Sequence, residues 1–280
     1  MFTMISDVAS YFEMELGQIA AAGTLFVSIL SGLLSPAVVL KEKSYVGDLV
    51  AHYVFPGVVA GYFLSESFGV PMVPALFLGA IVSALAGTFV ADFIHKSLRI
   101  PGDAASVVTL TGFFGLGVVA VSKLKGTRVD LHSFLFGNIL GLTWTDVALV
   151  GLVAVCAAVL LIGLRRDWEA WICDPEFARI AGFRVQLLER VFPVLLTFAV
   201  LVSLFAVGAL MVSALLTLPS LLLRSRRVVS VGPVFLSIVV GGVGLVLALA
   251  FDWPVGSAIV VLGLCLVIGK AVVLRTFRHS

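Results

Sequence analysis

Asp48 and His52 stand four residues apart at the head of an apolar segment reading Gly47-Asp48-Leu49-Val50-Ala51-His52-Tyr53-Val54-Phe55-Pro56-Gly57-Val58. On a helix, residues i and i+4 share one face, so a carboxylate and an imidazole at this spacing reach one small cation. Carboxylate oxygen and imidazole nitrogen suit Mn²⁺, Zn²⁺ and Fe²⁺. A site built to retain zinc favours thiolates, and none lies nearby. Two ligands leave most coordination positions open, as a conduction path needs, since the ion must also leave. A plainer reading stands beside this one. Gly47-Asp48 resembles an N-cap, and Asp48 could satisfy free backbone amides or hydrogen-bond His52. One turn later Pro56 lacks the N–H of a helical hydrogen bond, which makes Pro56 and Gly57 candidates for a kink.

The elements that must carry this pair are membrane helices. The 280 residues are 61% hydrophobic and only 12% charged, against roughly 45–50% and about 25% in soluble domains. No polar stretch is long enough to fold alone. The expected fold is therefore all-α, a polytopic transmembrane helical bundle of about eight to nine spans plus short partial helices, with residues 1–280 as one domain. A crossing needs roughly 20 apolar residues. The candidates are 19–40, 49–66, 74–94, 106–122, 145–164, 187–205, 207–223, 232–251 and 255–274. The net charge of +2 is small and the basic residues lie in short connections, so nothing points to nucleic acid.

Lys and Arg concentrate in cytoplasmic loops. Placing 165–186 in the cytoplasm puts 41–48, 95–105, 224–231 and the C-terminus there too, all with basic residues. The connection 123–132, with Lys123, Lys125 and Arg128, goes against the rule. The stretch 187–223 is too long for one crossing and short for two, with Gly208 and Pro219 as candidate helix breaks. The apolar run 133–142 is too short to cross and reads as a partial or interfacial helix. Residues 1–18 lack the basic region of a signal peptide, so the first apolar run is expected to stay as a span.

A second segment lies in the longest polar connection, Asp174-Pro175-Glu176-Phe177-Ala178-Arg179-Ile180-Ala181-Gly182-Phe183. Asp174 before Pro175 is a helix start, with Glu176 in the first turn. Gly182 supplies the stop. The product is a two-turn helix at about 174–183 showing Phe177 and Ile180. Such a helix suits docking to a soluble partner, or rests on lipid at the interface. Cys156 and Cys265, in apolar runs, and Cys173, in a polar loop, are expected to be small, buried, reduced thiols. His95, His132 and His279 read as solvated loop or tail residues. No phosphate-binding loop or nucleophile–base arrangement is visible, so the chain has no engine for ATP hydrolysis of its own.

Several segments together resemble the membrane permeases of ATP-driven bacterial importers for manganese, zinc or iron. Lys43 to His52 with Pro56-Gly57-Val58 is similar to that family's Gly-Asp-x-x-x-His…Pro-Gly-Val signature. Residues 128–141 resemble its Leu-Phe-Gly segment, and Asp174 to Gly182 its cytoplasmic coupling helix. Val207 to Leu216 with Pro219 resembles its late Gly-Ala-Leu…Pro segment, and Asp252-x-Pro254-x-Gly256-Ser257 also fits. Asn138, where relatives are often acidic, and Ser220 to Leu223 depart from the pattern. The resemblance implies a homodimer of permeases in the bacterial cytoplasmic membrane, ATPase activity in separate cytoplasmic ATP-binding subunits, and an extracytoplasmic metal-binding protein. It implies that Asp48 and His52 line the path of a transported Mn²⁺, Zn²⁺ or Fe²⁺, with no permanently bound cofactor. It also implies that Pro175, Glu176, Phe177, Ala178, Ile180 and Gly182 dock the ATPase.

The sequence thus reads as a permease subunit working by alternating access. Val54-Phe55-Pro56-Gly57 looks closer to manganese and iron relatives than to zinc ones. The rivals are a permease for a metal chelate such as a siderophore or cobalamin, a proton-coupled secondary transporter using Asp48–His52 as a relay, and a scaffold that transports nothing.

Overall fold

Apolar runs of 20 residues or more, in a chain whose backbone amides have no water to turn to, can only be helices. A computed structural model of the chain describes residues 10–123, 142–223 and 231–278. Among them are eleven helices and no strand: α1 Glu15–Leu40, α2 Val46–Phe68, α3 Met72–Leu98, α4 Gly102–Lys123, α5 Trp144–Gly163, α6 Arg165–Cys173, α7 Pro175–Ile180, α8 Val185–Val207, α9 Ala209–Leu223, α10 Val231–Phe251 and α11 Val255–Arg278. Eight of these, all but α6, α7 and α9, are long and apolar enough to cross a membrane. The chain is a multi-pass helical bundle.

The apolar stretch 187–223 is divided at Gly208, whose φ of 88° and ψ of 162° end α8. That backbone conformation is open to glycine and closed to other L-residues. The 15 residues of α9 rise only about 22 Å at 1.5 Å per residue, short of the roughly 30 Å hydrocarbon core. Of the candidate span 207–223, α9 is the described helix, and Pro219 lies inside it without ending it. The run 133–142 and Asn138 fall, up to residue 141, outside the described residues, as do His132 and His279. His95 is not a loop residue. It sits in the last turn of α3 with Nδ1 2.6 Å from the Ile100 carbonyl oxygen.

The helices cluster into two compact units. The first comprises residues up to Ser44, His132–Phe192 and Val202 onward, and α1 is its centre. Thr24, Ser28 and Gly32 recur at every fourth residue of α1 and meet α10, where a methyl added at Gly241 would overlap Ser28 Oγ. Helices in lipid gain nothing from hiding apolar surface from water, so small side chains that let backbones approach supply the contact instead. Further along α1, Ser35 Oγ donates to Ser220 Oγ at 2.9 Å, and the Ser220 amide donates back to Ser35 Oγ at 3.3 Å. The Lys270 ammonium of α11 donates to the carbonyls of Leu221 (3.0 Å) and Leu222 (2.5 Å) at the end of α9.

The second unit, Tyr45–Leu131 with Pro193–Leu201, joins α2, α3, α4 and the middle of α8. Gly57 and Gly79 face one another so closely that a methyl on either would overlap the other's carbonyl, and Gly61 lies likewise on Ala75. The Tyr53 ring covers Gly87, its hydroxyl donates to the Ser106 carbonyl at 3.2 Å, and Ser83 Oγ donates to the Tyr53 carbonyl at 2.6 Å. Thr88 and Thr197 hydroxyls share a 3.2 Å bond between α3 and α8.

Cys156, Cys173 and Cys265 are free thiols exposed at the surface of the chain. This corrects the expectation of burial for all three, and Cys173 ends α6 where a loop was expected. Hydropathy marks a residue as membrane-compatible without distinguishing a helix face turned to lipid from one packed on protein.

Candidate functional site

The first half of α2, from Gly47 to Gly61, is mostly covered, and four of its uncovered residues form a stripe. Gly47, Leu49, Val50, Ala51, Tyr53, Val54, Phe55 and Gly57 are buried, whereas Asp48, His52, Pro56 and Ala60 are exposed or half-buried at successive steps of four. Tyr53 and Gly57 hold this register, because the first locks α2 on α3 and α4 and the second admits no rotation past Gly79. The carboxylate and the imidazole thus stand on one accessible face of the helix, the Asp48 side chain 67% exposed and that of His52 25%.

Asp48 is not the N-cap. The helix begins two residues earlier at Val46, the cap position is Tyr45, and no side chain caps it. Asp48 lies in the first turn, where the free amides of the helix start favour a negative charge. The Nδ1 of His52 is 2.9 Å from the Asp48 carbonyl oxygen and 3.8 Å from its carboxylate. A carbonyl only accepts, so Nδ1 is the donor, and in the neutral ring Nε2 then carries the lone pair that a metal uses. The ring of Phe114 on α4 meets the imidazole edge-on at 5.5 Å and lies tilted by 32° on Phe55 at 5.6 Å, with Phe55 lying on Gly117. Pro56 lies within α2, which runs unbroken to Phe68. Having no N–H, it leaves the His52 carbonyl without its helical donor. Among the described residues no group of three or more His, Cys, Asp or Glu is placed to hold a metal, so the pair stands as two ligands.

The second predicted element is α7. Asp174 Oδ1 accepts from the amides of Glu176 (3.1 Å) and Phe177 (3.0 Å), and Pro175 takes the first helical position. At the other end Gly182 has φ +81°, the Phe183 amide donates to the Ala178 carbonyl at 2.9 Å, and the Gly182 amide to Arg179 at 3.3 Å. This is the paired-bond ending that glycine favours. Ala178 is fully buried and seats the helix, while Glu176 is exposed and Phe177 and Ile180 are 60% and 88% exposed. Arg179 pairs with Glu189 at 2.6 Å, and Asp167 Oδ1 accepts from the Arg184 amide at 3.0 Å. Beneath lies a T-shaped cluster of Trp168, Trp171 and Phe192, with ring centroids 5.5 to 5.8 Å apart.

Lys41 is the residue that sequence reasoning did not single out. Its ammonium donates to the Trp171 carbonyl at 2.8 Å and lies 4.1 Å from that residue's ring centroid. Burial pushes its pKa down, with the charge of Glu189 opposing. In the sequence it is one of three charges in a row, and its partner stands 130 positions away.

Residues 13–273 match the model of the ABC 3 transport family. A zinc transport system membrane protein of Treponema pallidum is 31% identical over 206 residues, covering 72% of this chain and 68% of that one. A manganese transport system membrane protein of Halalkalibacterium halodurans is 27% identical over 219 residues, 77% of this chain and 72% of that one. Among solved structures, PsaBC from Streptococcus pneumoniae in complex with Fab superposes with a TM-score of 0.78 at 25% identity, over 94% of both chains.

Proposed function

The chain belongs to the ABC 3 transport family, and from that premise we propose that it is the permease subunit of an importer for a divalent transition-metal ion in the bacterial cytoplasmic membrane. The observation that carries the cargo is the α2 stripe, where one carboxylate and one imidazole nitrogen share the accessible face of the covered first half of the helix. A second copy across a twofold axis would bring an identical stripe, and water the remaining positions. Ligands so few and so exposed bind an ion briefly, which transport requires. The whole chain acts as one permease domain with its C-terminus in the cytoplasm. An extracytoplasmic metal-binding protein delivers the ion. α7 sits in a groove of a separate ATP-binding subunit, whose closure rocks the spans and exposes the stripe to one side and then the other.

Within this cargo class we favour Mn²⁺, and the Val54-Phe55-Pro56-Gly57 run supports Mn²⁺ or Fe²⁺ against Zn²⁺. Relatives named for manganese and for zinc both align with the chain. Uptake of radioactive Mn²⁺ into vesicles holding the permease and its ATPase tests this, with Zn²⁺ and Fe²⁺ as competitors. Uptake blocked equally well by a hundredth of the Zn²⁺ concentration would overturn the preference, and uptake without the ATPase subunit would favour a proton-driven carrier.

A further inference from the structure

α6 ends at Cys173, and the carbonyls of its last turn have no partner within the helix. The Asp174 amide takes the Ala170 carbonyl at 3.0 Å, and the next one, that of Trp171, is taken by Lys41. A cation is favoured at this negative end of a helix, and the indole face beside it adds a second attraction. Trp171 is 6% exposed and Trp168 fully buried, so the acceptor is held firmly by the aromatic cluster. Lys41 is equally fixed on its own side. It caps α1, its amide donating to the Ala37 carbonyl at 3.0 Å, and the Lys43 amide closes the turn on Val38 at 2.8 Å.

The positions along the chain give this contact a consequence. Trp171 is three residues before Asp174, which starts α7. Lys41 is seven residues before Asp48 in the same continuous chain, at the head of the loop that opens α2. We infer that Lys41 is a positioning residue that couples displacement of α7 to the helix bearing Asp48 and His52. The inference rests on α7 being the docking helix. An arginine at the same place would keep the charge and the donor, whereas methionine would keep only the stem.

The test uses the full transporter, permease with its ATPase subunit in vesicles, reading Mn²⁺ uptake and ATP hydrolysis together. Lys41→Met should leave the hydrolysis rate within about twofold while ions moved per ATP fall at least about fivefold, the lower end of typical coupling factors. Lys41→Arg should recover most of the ratio. An unchanged ratio in Lys41→Met overturns the inference. So does a comparable loss in Lys41→Arg, which is decisive even where Lys41→Met fails to assemble. Ile180→Asp serves as the companion. If that variant still binds the ATPase subunit normally, the docking role of α7 fails, and this outcome is read separately from the Lys41 ratio.

Discussion

The imidazole of His52 gives its Nδ1 proton to the main-chain oxygen of Asp48, 2.9 Å away, and leaves the carboxylate of the same residue 3.8 Å off. Both metal-competent groups therefore remain unspent, Nε2 on one residue and two oxygens on the other. A direct ion pair would have consumed the ligands in holding each other. The backbone bond also fixes the ring's tautomer, as outer partners of metal-binding histidines commonly do.

Asp48→Ala and His52→Ala should each abolish metal uptake in reconstituted vesicles, a fall of roughly a hundredfold or more, given that each tenfold is about 1.4 kcal/mol. Asp48 is largely exposed and its loss should change stability by about 0.5 kcal/mol or less, whereas His52, three-quarters covered against Phe114, should cost about 1 kcal/mol. Assembly with the ATPase subunit, read by co-purification, should survive. Normal uptake by either variant would end the ligand assignment.

At α7, Phe177→Asp should weaken ATPase binding and uncouple hydrolysis from uptake. Gly182→Val should uncouple too, since a β-branched residue is forced to φ +81° at a cost of about 1–3 kcal/mol. Hydrolysis stimulated normally by cargo in both variants would place docking elsewhere.

Gly57→Ala should destabilise the second unit by about 1–3 kcal/mol, the usual cost of overpacking, because the new methyl meets the Gly79 carbonyl. Gly112→Ala, with nothing within 4 Å of the new methyl, should be neutral or gain up to about 1 kcal/mol from helix propensity. Unfolding in mixed micelles compares the two, and equal midpoints would contradict the packing described for α2 and α3.

Tyr45 lies just outside α2, where burial first, then the Asp103 carboxylate, push its phenol up to about 12 from the ordinary 10. The folded chain therefore holds this proton more tightly than the unfolded one. The resulting stability is complete below pH 10 and is lost as pH climbs from 10 to about 12. Tyr45→Phe should flatten the fall in stability across that window. An identical alkaline profile in both proteins would assign the loss to other groups.

Much of this was legible in the residues themselves. Asp48 and His52 share a face because the spacing of four requires it, and Asp174, Pro175 and Gly182 bound α7 because their backbone preferences leave little else. Gly208 breaks an apolar run too long for one helix. What escaped was whatever depended on distance along the chain. Lys41 looks like any loop charge until Trp171 is beside it. Gly57 reads as a partner to Pro56 in a kink, whereas its nearest neighbour is Gly79. The start of α2 was misplaced because Asp48 is a good cap residue and nothing local marks Val46 as helical.

The contact of Gly57 with Gly79 leaves no side-chain cushion between α2 and α3. Two rods touching along their main chains cannot roll independently. The groove that would let one twist is filled by the other's carbonyls, and Tyr53 pins the pair one turn away. Any stroke that re-aims Asp48 and His52 must therefore swing both helices as a single lever.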